Sequence, residues 1–171
     1  MKRGAAHAFA TAPARLDAAR EVGRLASPAF ELWIETEERF AFIDVTERVA
    51  KRVLASGVSS GVAHLQTRHT TTALVVNENE PLLLADLKAL LERLVPDGPG
   101  YAHDDHARRG VPDDESRNGA AHCRALLLPT SQCLAVRDGR LALGRWQSVF
   151  LVEIDGPRRR SLLLTVTGQA A

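Results

Sequence analysis

The amino-acid sequence predicts an α+β domain, in which an antiparallel sheet or sandwich carries two or three flanking helices. Two observations lead to this prediction. Most strand-like segments alternate apolar and polar residues, as strands with one buried face do. In the C-terminal third, short turns at 137–139 ("RDG") and 156–159 ("GPRR") separate these segments. Strands joined by such short turns run antiparallel, so we expect a hairpin at each turn.

The N-terminal part of the domain begins with strands and then a helix. Residues 31–46, "ELWIETEERFAFIDVT", predict two strands around a polar turn at 36–39. Thr46 has the side chain of an N-cap, and Gly57 is typical of the residue that ends a helix. We therefore expect a helix between these two residues.

The next segment, 59–78, predicts one long strand, "SSGVAHLQTRHTTTALVVNE". Alternation then places His69 and Thr71 on the same face as the apolar residues of this strand. Pro81 opens a helix, because the first helical position tolerates a missing N–H. Its apolar residues recur at helical spacing and predict a stripe that faces the core: Leu83, Leu87, Leu90, Leu91 and Leu94.

Residues 96–118 predict a long loop without apolar periodicity, and loops of this length inside a domain are usually functional or disordered. A short helix, "GAAHCRALLL", follows and ends before Pro129. The strands of the C-terminal third complete the sheet.

Length and composition bound the organisation of the chain. With 171 residues and 45% hydrophobic content, we expect a single domain over residues 29–171. Residues 1–28 are rich in Ala and Arg and lack the apolar core of a signal peptide. We expect them to form a flexible N-terminal extension, because chain termini are usually poorly ordered.

Charge and cysteine content exclude several classes of function. A formal net charge of +1 and 5% aromatic residues argue against a nucleic-acid surface. No apolar run is long enough to cross a bilayer, so no membrane partner is expected. The two cysteines, Cys123 and Cys133, fit the reducing cytoplasm, which is the predicted location.

Three histidines are candidates for a site, because they lie on different elements that a fold could bring together. His69 lies on a strand, His103 in the long loop and His122 at the start of a helix. Imidazoles that converge would suit a divalent ion, and zinc more than magnesium. A single histidine is more often a solvated or hydrogen-bonded ring, but the His, Asp and Asn residues concentrated on one loop favour a site. Asp104 could orient a histidine.

Two further groups have both a structural and a functional interpretation. Asn79 lies at the entrance of the helix that begins at Pro81, where capping alone could explain it. Arg158 could bind a phosphate, although a turn flanked by solvated cations is the commoner arrangement. Trp146 is expected in the core or in a pocket wall.

From about Glu31 to Gly168 the chain contains several motifs in a fixed order: "HTTTALVVNENEP", Asp86, "LVP" at 94–96, "YAHDD" at 101–105, "AHCRALLL" at 121–128 and "SQCLAVRDGRLALGRWQSVFLVEIDGPRRR" from Ser131. With these motifs the chain resembles the YjbQ family, whose members are described as secondary thiamine-phosphate synthase enzymes. Arg145 stands where the family usually has Thr, which adds a cation at a pocket rim or in solvent.

The resemblance implies a β-sandwich with flanking helices that assembles as a homotrimer. It implies that His69, His103, His122, Asn79 and Asp86 are characteristic site positions. The implied reaction joins a pyrimidine that carries a diphosphate leaving group to a thiazole phosphate.

Three hypotheses follow. The first is an enzyme in which His69, His103 and His122 are metal ligands or acid–base groups. In this enzyme Asn79, Asp86 and Asp104 assist catalysis, while the residues that meet a phosphorylated substrate are Arg68, Arg145, Trp146 and Arg158. The second is a non-catalytic trimer that binds a small anionic ligand. The third is a metal-dependent hydrolase.

Overall fold

The computed structural model describes residues 28–170, and the predicted extension lies outside them except for Pro28. The strands are β1 (Ala29–Glu35), β2 (Ala41–Asp44), β3 (Val58–Thr67), β4 (Thr72–Asn77), β5 (Ser131–Arg137), β6 (Arg140–Leu141), β7 (Ser148–Glu153) and β8 (Arg159–Ala170). The helices are α1 (Thr46–Ala55), α2 (Pro81–Leu94), α3 (His106–Arg109) and α4 (Gly119–Leu126), with a 3₁₀ turn at Ala102–Asp104.

Two antiparallel sheets form the domain and confirm the α+β prediction. A five-stranded sheet has the order β1-β8-β3-β5-β6, and a three-stranded sheet has the order β2-β7-β4. Residues of both sheets and of α1 form one core between them. The opposite face of the three-stranded sheet packs against α2 and α4 through Ala73, Val152, Leu91, Ala121 and Ala125, which form a second core. Within the described part of the chain, no helix is long and apolar enough to span a membrane.

The segment predicted as one long strand is two strands in different sheets. β3 belongs to the five-stranded sheet and β4 to the three-stranded sheet, so the prediction over 59–78 is wrong. The chain turns at residues 68–71, where Thr67 Oγ1 and Thr72 Oγ1 contact each other across the turn. His69 lies in this turn rather than on a strand face, so alternation does not determine where its ring points.

The predicted hairpin at "GPRR" is also wrong, because β7 and β8 pair with different strands. β7 pairs with β2 and β4, whereas β8 pairs with β1 and β3. The connection instead packs against the turn between β1 and β2, where the Gly156 N–H donates to the Arg39 carbonyl over 3.1 Å. A Cβ at Gly156 would lie 2.3 Å from the Glu38 carbonyl oxygen, so only glycine permits this approach. The other predicted hairpin, β5–β6 around Asp138-Gly139, is confirmed.

The helix boundaries depart from prediction in small ways. Thr46 is the first residue of α1 and not its N-cap, and its hydroxyl accepts from the Val149 N–H at 2.8 Å. Gly57 follows the helix with φ of +72°, as a terminating glycine does. α4 is two residues shorter than predicted, and residues 96–118 contain the 3₁₀ turn and α3, so this segment is not entirely loop.

The leucine stripe of α2 is the least accurate part of the helix prediction. Of its residues only Leu91 is buried, whereas Leu90 and Leu94 are 41% and 62% exposed. The helix therefore covers the three-stranded sheet with a narrow contact and leaves apolar side chains outside.

Candidate functional site

A cleft of about 670 Å³ opens beside the turn at 68–71, at the end of the sandwich where β4 begins. It is lined by the turn itself, by the end of the long loop together with α4, and by the connection from β7 to β8 together with the start of β8. The lining residues are Arg68, His69, Thr70, Thr71, Asp114, Glu115, Ser116, Asn118, His122, Asp155, Arg158 and Arg160.

His69 is fixed by a backbone group of β8. The Ser161 N–H donates to His69 Nε2 over 2.9 Å. The pKa of His69 is lowered, chiefly because burial disfavours the charged ring and also because the Arg160 guanidinium is close. His69 is therefore a neutral imidazole near pH 7.

His122 lies across the cleft on α4 and contacts the ring of His103. The two ring centroids are 4.7 Å apart, with the rings at 68° in an edge-to-face arrangement. Burial lowers the pKa of His122, and the neighbouring His103 lowers it further. A second neutral imidazole therefore borders the cleft.

Asp104 and a glycine hold the start of α4 against the long loop. Asp104 Oδ1 accepts from the Gly119 N–H at 2.8 Å. A Cβ at Gly119 would lie 2.5 Å from Tyr101 Cβ, so the 3₁₀ turn reaches α4 only because residue 119 has no side chain. This close approach places His103 against His122.

Asp155 joins the loop to the β7–β8 connection. Its carboxylate is buried and accepts hydrogen bonds from Ser116 Oγ (3.1 Å), Asn118 Nδ2 (2.7 Å) and Arg158 Nη2 (2.9 Å). One carboxylate thus fixes two residues that precede α4 and an arginine on the other side of the cleft.

The base of this region contains a buried ion pair between Glu153 and Arg160. Arg160 Nε and Nη2 donate to the two carboxylate oxygens over 2.7 and 2.6 Å, and Nη2 also reaches Thr71 Oγ1 at 3.1 Å. Glu153 is 0% exposed and also accepts from the Thr36 hydroxyl and from the N–H groups of Ile154 and Asp155. Every oxygen of the carboxylate is therefore satisfied, as a buried charge requires.

Some predicted site residues line the cleft or contact residues that do. His69, His122, Arg68 and Arg158 line it directly. His103 contacts His122, and the remaining predicted residue in this region, Asp104, fixes Gly119.

The other predicted site residues lie elsewhere. Asn79 donates to Asp44 Oδ2 at 2.8 Å, near the far end of β4, and the helix cap is Glu80, whose carboxylate accepts from two N–H groups of α2. Asp86 is exposed on α2. Arg145 stacks over the Trp146 ring at 4.5 Å, and Trp146 is 60% exposed, which contradicts the expected place in the core or a pocket wall. The functional roles of these residues stay predictions.

The predicted metal ligands His69, His103 and His122 are not grouped as a metal site requires. Among residues 28–170, no group of three or more His, Cys, Asp or Glu side chains is placed to hold a metal ion. His69 Nε2 already accepts from a backbone N–H, so that lone pair is not directed at a ligand. The three histidines therefore do not form a ligand set in this conformation, and metal binding stays a prediction.

Sequence reasoning missed most of the residues that support the site: Ser116, Asn118, Glu153, Asp155 and Arg160. A signal existed for Glu153, because it lies in the apolar run "VFLVEI", where a carboxylate needs a buried cation. The run of three arginines after Gly156 offered such a cation. The sequence did not indicate which of the three turns inward.

Comparison with known proteins identifies the family. Residues 30–169 match the family described as "UPF0047 protein YjbQ-like". The chain belongs to the YjbQ family. A UPF0047 protein of Methanothermobacter thermautotrophicus is 37% identical over 139 residues, covering 81% of this chain and 91% of that relative. The UPF0047 protein YjbQ of Salmonella typhimurium is 34% identical over 116 residues, covering 66% of this chain and 77% of that relative.

Solved structures of YjbQ-like proteins share the fold. A YbjQ-like protein of unknown function from Sulfolobus solfataricus superposes with a TM-score of 0.72 at 30% identity, covering 84% of this chain and 98% of that one. A hypothetical protein from Aeropyrum pernix gives a TM-score of 0.71 at 33% identity, covering 83% and 99%. The YjbQ-like sandwich expected from the motifs is therefore confirmed.

Proposed function

We propose that this YjbQ-family protein is a cytoplasmic small-molecule enzyme that binds a phosphorylated ligand in the cleft. His122 acts there as an acid–base group, and His69 helps to bind the ligand. The observation that supports this proposal is that two neutral imidazoles border the same cleft as three arginines, Arg68, Arg158 and Arg160.

Guanidinium N–H groups supply the recognition of phosphate. Each arginine has five N–H donors, and the hydrogen bonds within the protein use only some of them. Nη1 of Arg158 and Nη1 of Arg160 have no acceptor among the described residues, whereas Nε and Nη2 of each are held by carboxylate or carbonyl oxygens. A guanidinium held in this way through Nε and Nη2 is already ordered before a ligand binds. Its free N–H groups can therefore meet phosphate oxygens at low entropic cost.

The lowered pKa of His122 suits proton transfer. A neutral imidazole with a free lone pair can accept a proton near pH 7, and the imidazolium that forms can then return it. Burial, which lowers both pKa values, also strengthens the electrostatic contacts of the ring with a bound ligand.

The first reaction to assay is the one that the family resemblance implies. A C–N bond forms between the pyrimidine methylene and the thiazole nitrogen while the C–O bond to the diphosphate breaks, and the diphosphate leaves as an anion. Arg158 and Arg160 would stabilise the charge that develops on this leaving group. No step of the proposal depends on a metal.

The test combines turnover with ligand binding. Purified protein is incubated with the pyrimidine diphosphate and the thiazole phosphate, and thiamine phosphate and released diphosphate are measured. His122→Ala is expected to lower turnover of this pair by about tenfold, because it removes a hydrogen-bonding ring from the cleft wall. Hydrolysis of phosphate esters, in which a base activates water, should fall by about 10²-fold or more. His64→Ala is the matched control, because His64 is exposed on β3 and does not line the cleft.

Binding distinguishes the alternative of a non-catalytic protein. Isothermal titration with inorganic diphosphate should show saturable binding that Arg158→Ala weakens. Binding without turnover of this substrate pair or of a panel of phosphate esters would favour the non-catalytic protein. Neither binding nor turnover would overturn the proposal.

We also propose that the protein assembles as a homotrimer, as the family resemblance implies. Five leucines of the helical layer over the three-stranded sheet are at least 41% exposed: Leu82, Leu90, Leu94, Leu126 and Leu127. Apolar surface of this extent commonly marks a contact between proteins. Light scattering of the full chain should give three times the monomer mass, and Leu94→Lys should lower it. A monomer in the wild type would contradict the assembly.

A further inference from the structure

We propose that the Ser161 amide locks His69 in the tautomer that carries its proton on Nδ1. In this form His69 donates a hydrogen bond to a ligand oxygen and is not a metal ligand. The part that concerns the ligand rests on the proposed function, whereas the tautomer is a property of the protein alone.

The tautomer follows from the nature of the hydrogen-bond partner. A backbone N–H can only donate, so His69 Nε2, which lies 2.9 Å from the Ser161 nitrogen, must present a lone pair. A neutral imidazole has one ring proton, and Nδ1 must then carry it. A histidine free in solution has no such constraint and populates both tautomers.

Both partners of this hydrogen bond are held by packed elements. Ser161 is 4% exposed and lies in β8, opposite Trp33 of β1. Its neighbour Arg160 is bonded to Glu153 and also to Thr71 Oγ1, in the turn that contains His69. The buried ion pair therefore couples the His69 turn to the strand that supplies the N–H. Glu153 and Arg160 are positioning residues for His69.

This arrangement argues against His69 as a ligand in the predicted three-histidine metal site. A metal ion needs a lone pair of the ring, but the lone pair on Nε2 faces an N–H and Nδ1 is protonated. Ligation by His69 would require its ring to leave Ser161. What His69 offers the cleft is an N–H donor, which matches the anionic oxygens that Arg158 and Arg160 also meet.

The tautomer is directly measurable by NMR. Protein labelled with ¹⁵N in its six histidines is studied by long-range ¹H–¹⁵N correlation above pH 7.5, with His69→Gln to assign the ring. The expected result is a pyrrole-type Nδ1 and a pyridine-type Nε2 for His69, in roughly tenfold excess over the other tautomer, as one hydrogen bond implies. Exposed His64 is the internal control and should show no such excess. An Nε2–H ring or an even mixture at His69 would overturn the proposal.

Zinc and two substitutions test the consequences. Equimolar zinc should leave the His69 resonances unchanged, and a shift at Nε2 or Nδ1 would overturn the exclusion of a metal. His69→Gln keeps one acceptor for Ser161 and one N–H donor for the cleft, so diphosphate affinity should stay within about threefold. His69→Leu should lose about tenfold. Equal losses in both variants would overturn the donor role.

Failure of the two proposals can be told apart. If the Nδ1–H tautomer is found but neither diphosphate nor the substrate pair binds, the tautomer stands and the proposed function fails. If diphosphate binds but His69 is an Nε2–H ring, the proposed function stands and the tautomer fails.

Discussion

Removing the charge of Glu153 should destabilise the fold more than any surface ion-pair substitution. Glu153→Gln keeps the side-chain volume but leaves the Arg160 guanidinium, 6% exposed as a side chain, without a counter-charge. Breaking a buried pair by removing one partner costs about 3–5 kcal/mol. With a urea m-value of about 2 kcal/mol/M, the unfolding midpoint should fall by roughly 2 M.

The chain provides a matched control on the neighbouring arginine. Arg159 Nε contacts Glu35 Oε1 at 3.2 Å, but these side chains are 62% and 73% exposed. Glu35→Gln should therefore change the free energy of unfolding by less than about 1 kcal/mol. Both variants are compared by circular dichroism at equal protein concentration, because assembly would make the midpoint depend on it.

A thermodynamic cycle consists of the single substitutions Glu153→Leu and Arg160→Met and the double variant Glu153→Leu/Arg160→Met. Replacing both charges by apolar groups leaves no unpaired buried charge, so the double variant should be more stable than either single variant. The reasoning would be refuted if Glu153→Gln were within about 1 kcal/mol of the wild type. It would also be refuted if the two single substitutions were additive.

Three further predictions concern helix capping, close packing and pH. Glu80→Ala removes the cap of α2 and should cost about 1 kcal/mol in urea unfolding, whereas Glu78→Ala should cost less. Gly61→Ala would place a Cβ 2.1 Å from the Thr167 carbonyl oxygen and should lower the melting temperature sharply. Since folding lowers the pKa of His69 and His122 below their ordinary 6.5, the unfolded chain binds more protons below that pH. The free energy of unfolding should therefore fall as pH drops below 6.5, and less so in a double His→Gln variant, as urea titrations at several pH values can check.

Alternation and turn residues were sufficient to predict four of the eight described strands. β1, β2, β5 and β6 lie where alternation and the Asp138-Gly139 turn place them. The break between β3 and β4 was missed because residues 68–71 contain neither Gly nor Pro, and every one of them is compatible with a strand. The switch of β8 to the other sheet was missed because a short turn predicts pairing, whereas long-range contacts of Gly156 and Arg160 decide against it.

Some residues of the cleft were predicted from the sequence, but the residues that hold them in place were not. His69, His122 and Arg158 were identified from residue type and sequence neighbourhood, and they share a cleft. The sequence could not show that Nε2 of His69 would accept from Ser161, because this contact joins residues 92 positions apart. Glu153 and Arg160 are only 7 positions apart, but the sequence did not indicate which of the three arginines turns inward to form the pair.

The interior position of β8 in the five-stranded sheet has a consequence for synthesis of the chain on the ribosome. β8 lies between β1 and β3 and pairs with both, yet it is translated long after them. Until β8 emerges, the edges of β1 and β3 lack their partner, and exposed strand edges recruit other chains. Chaperones that shield nascent strands should therefore matter for this protein, and ribosome-stalled chains that end before Arg159 should be sensitive to protease.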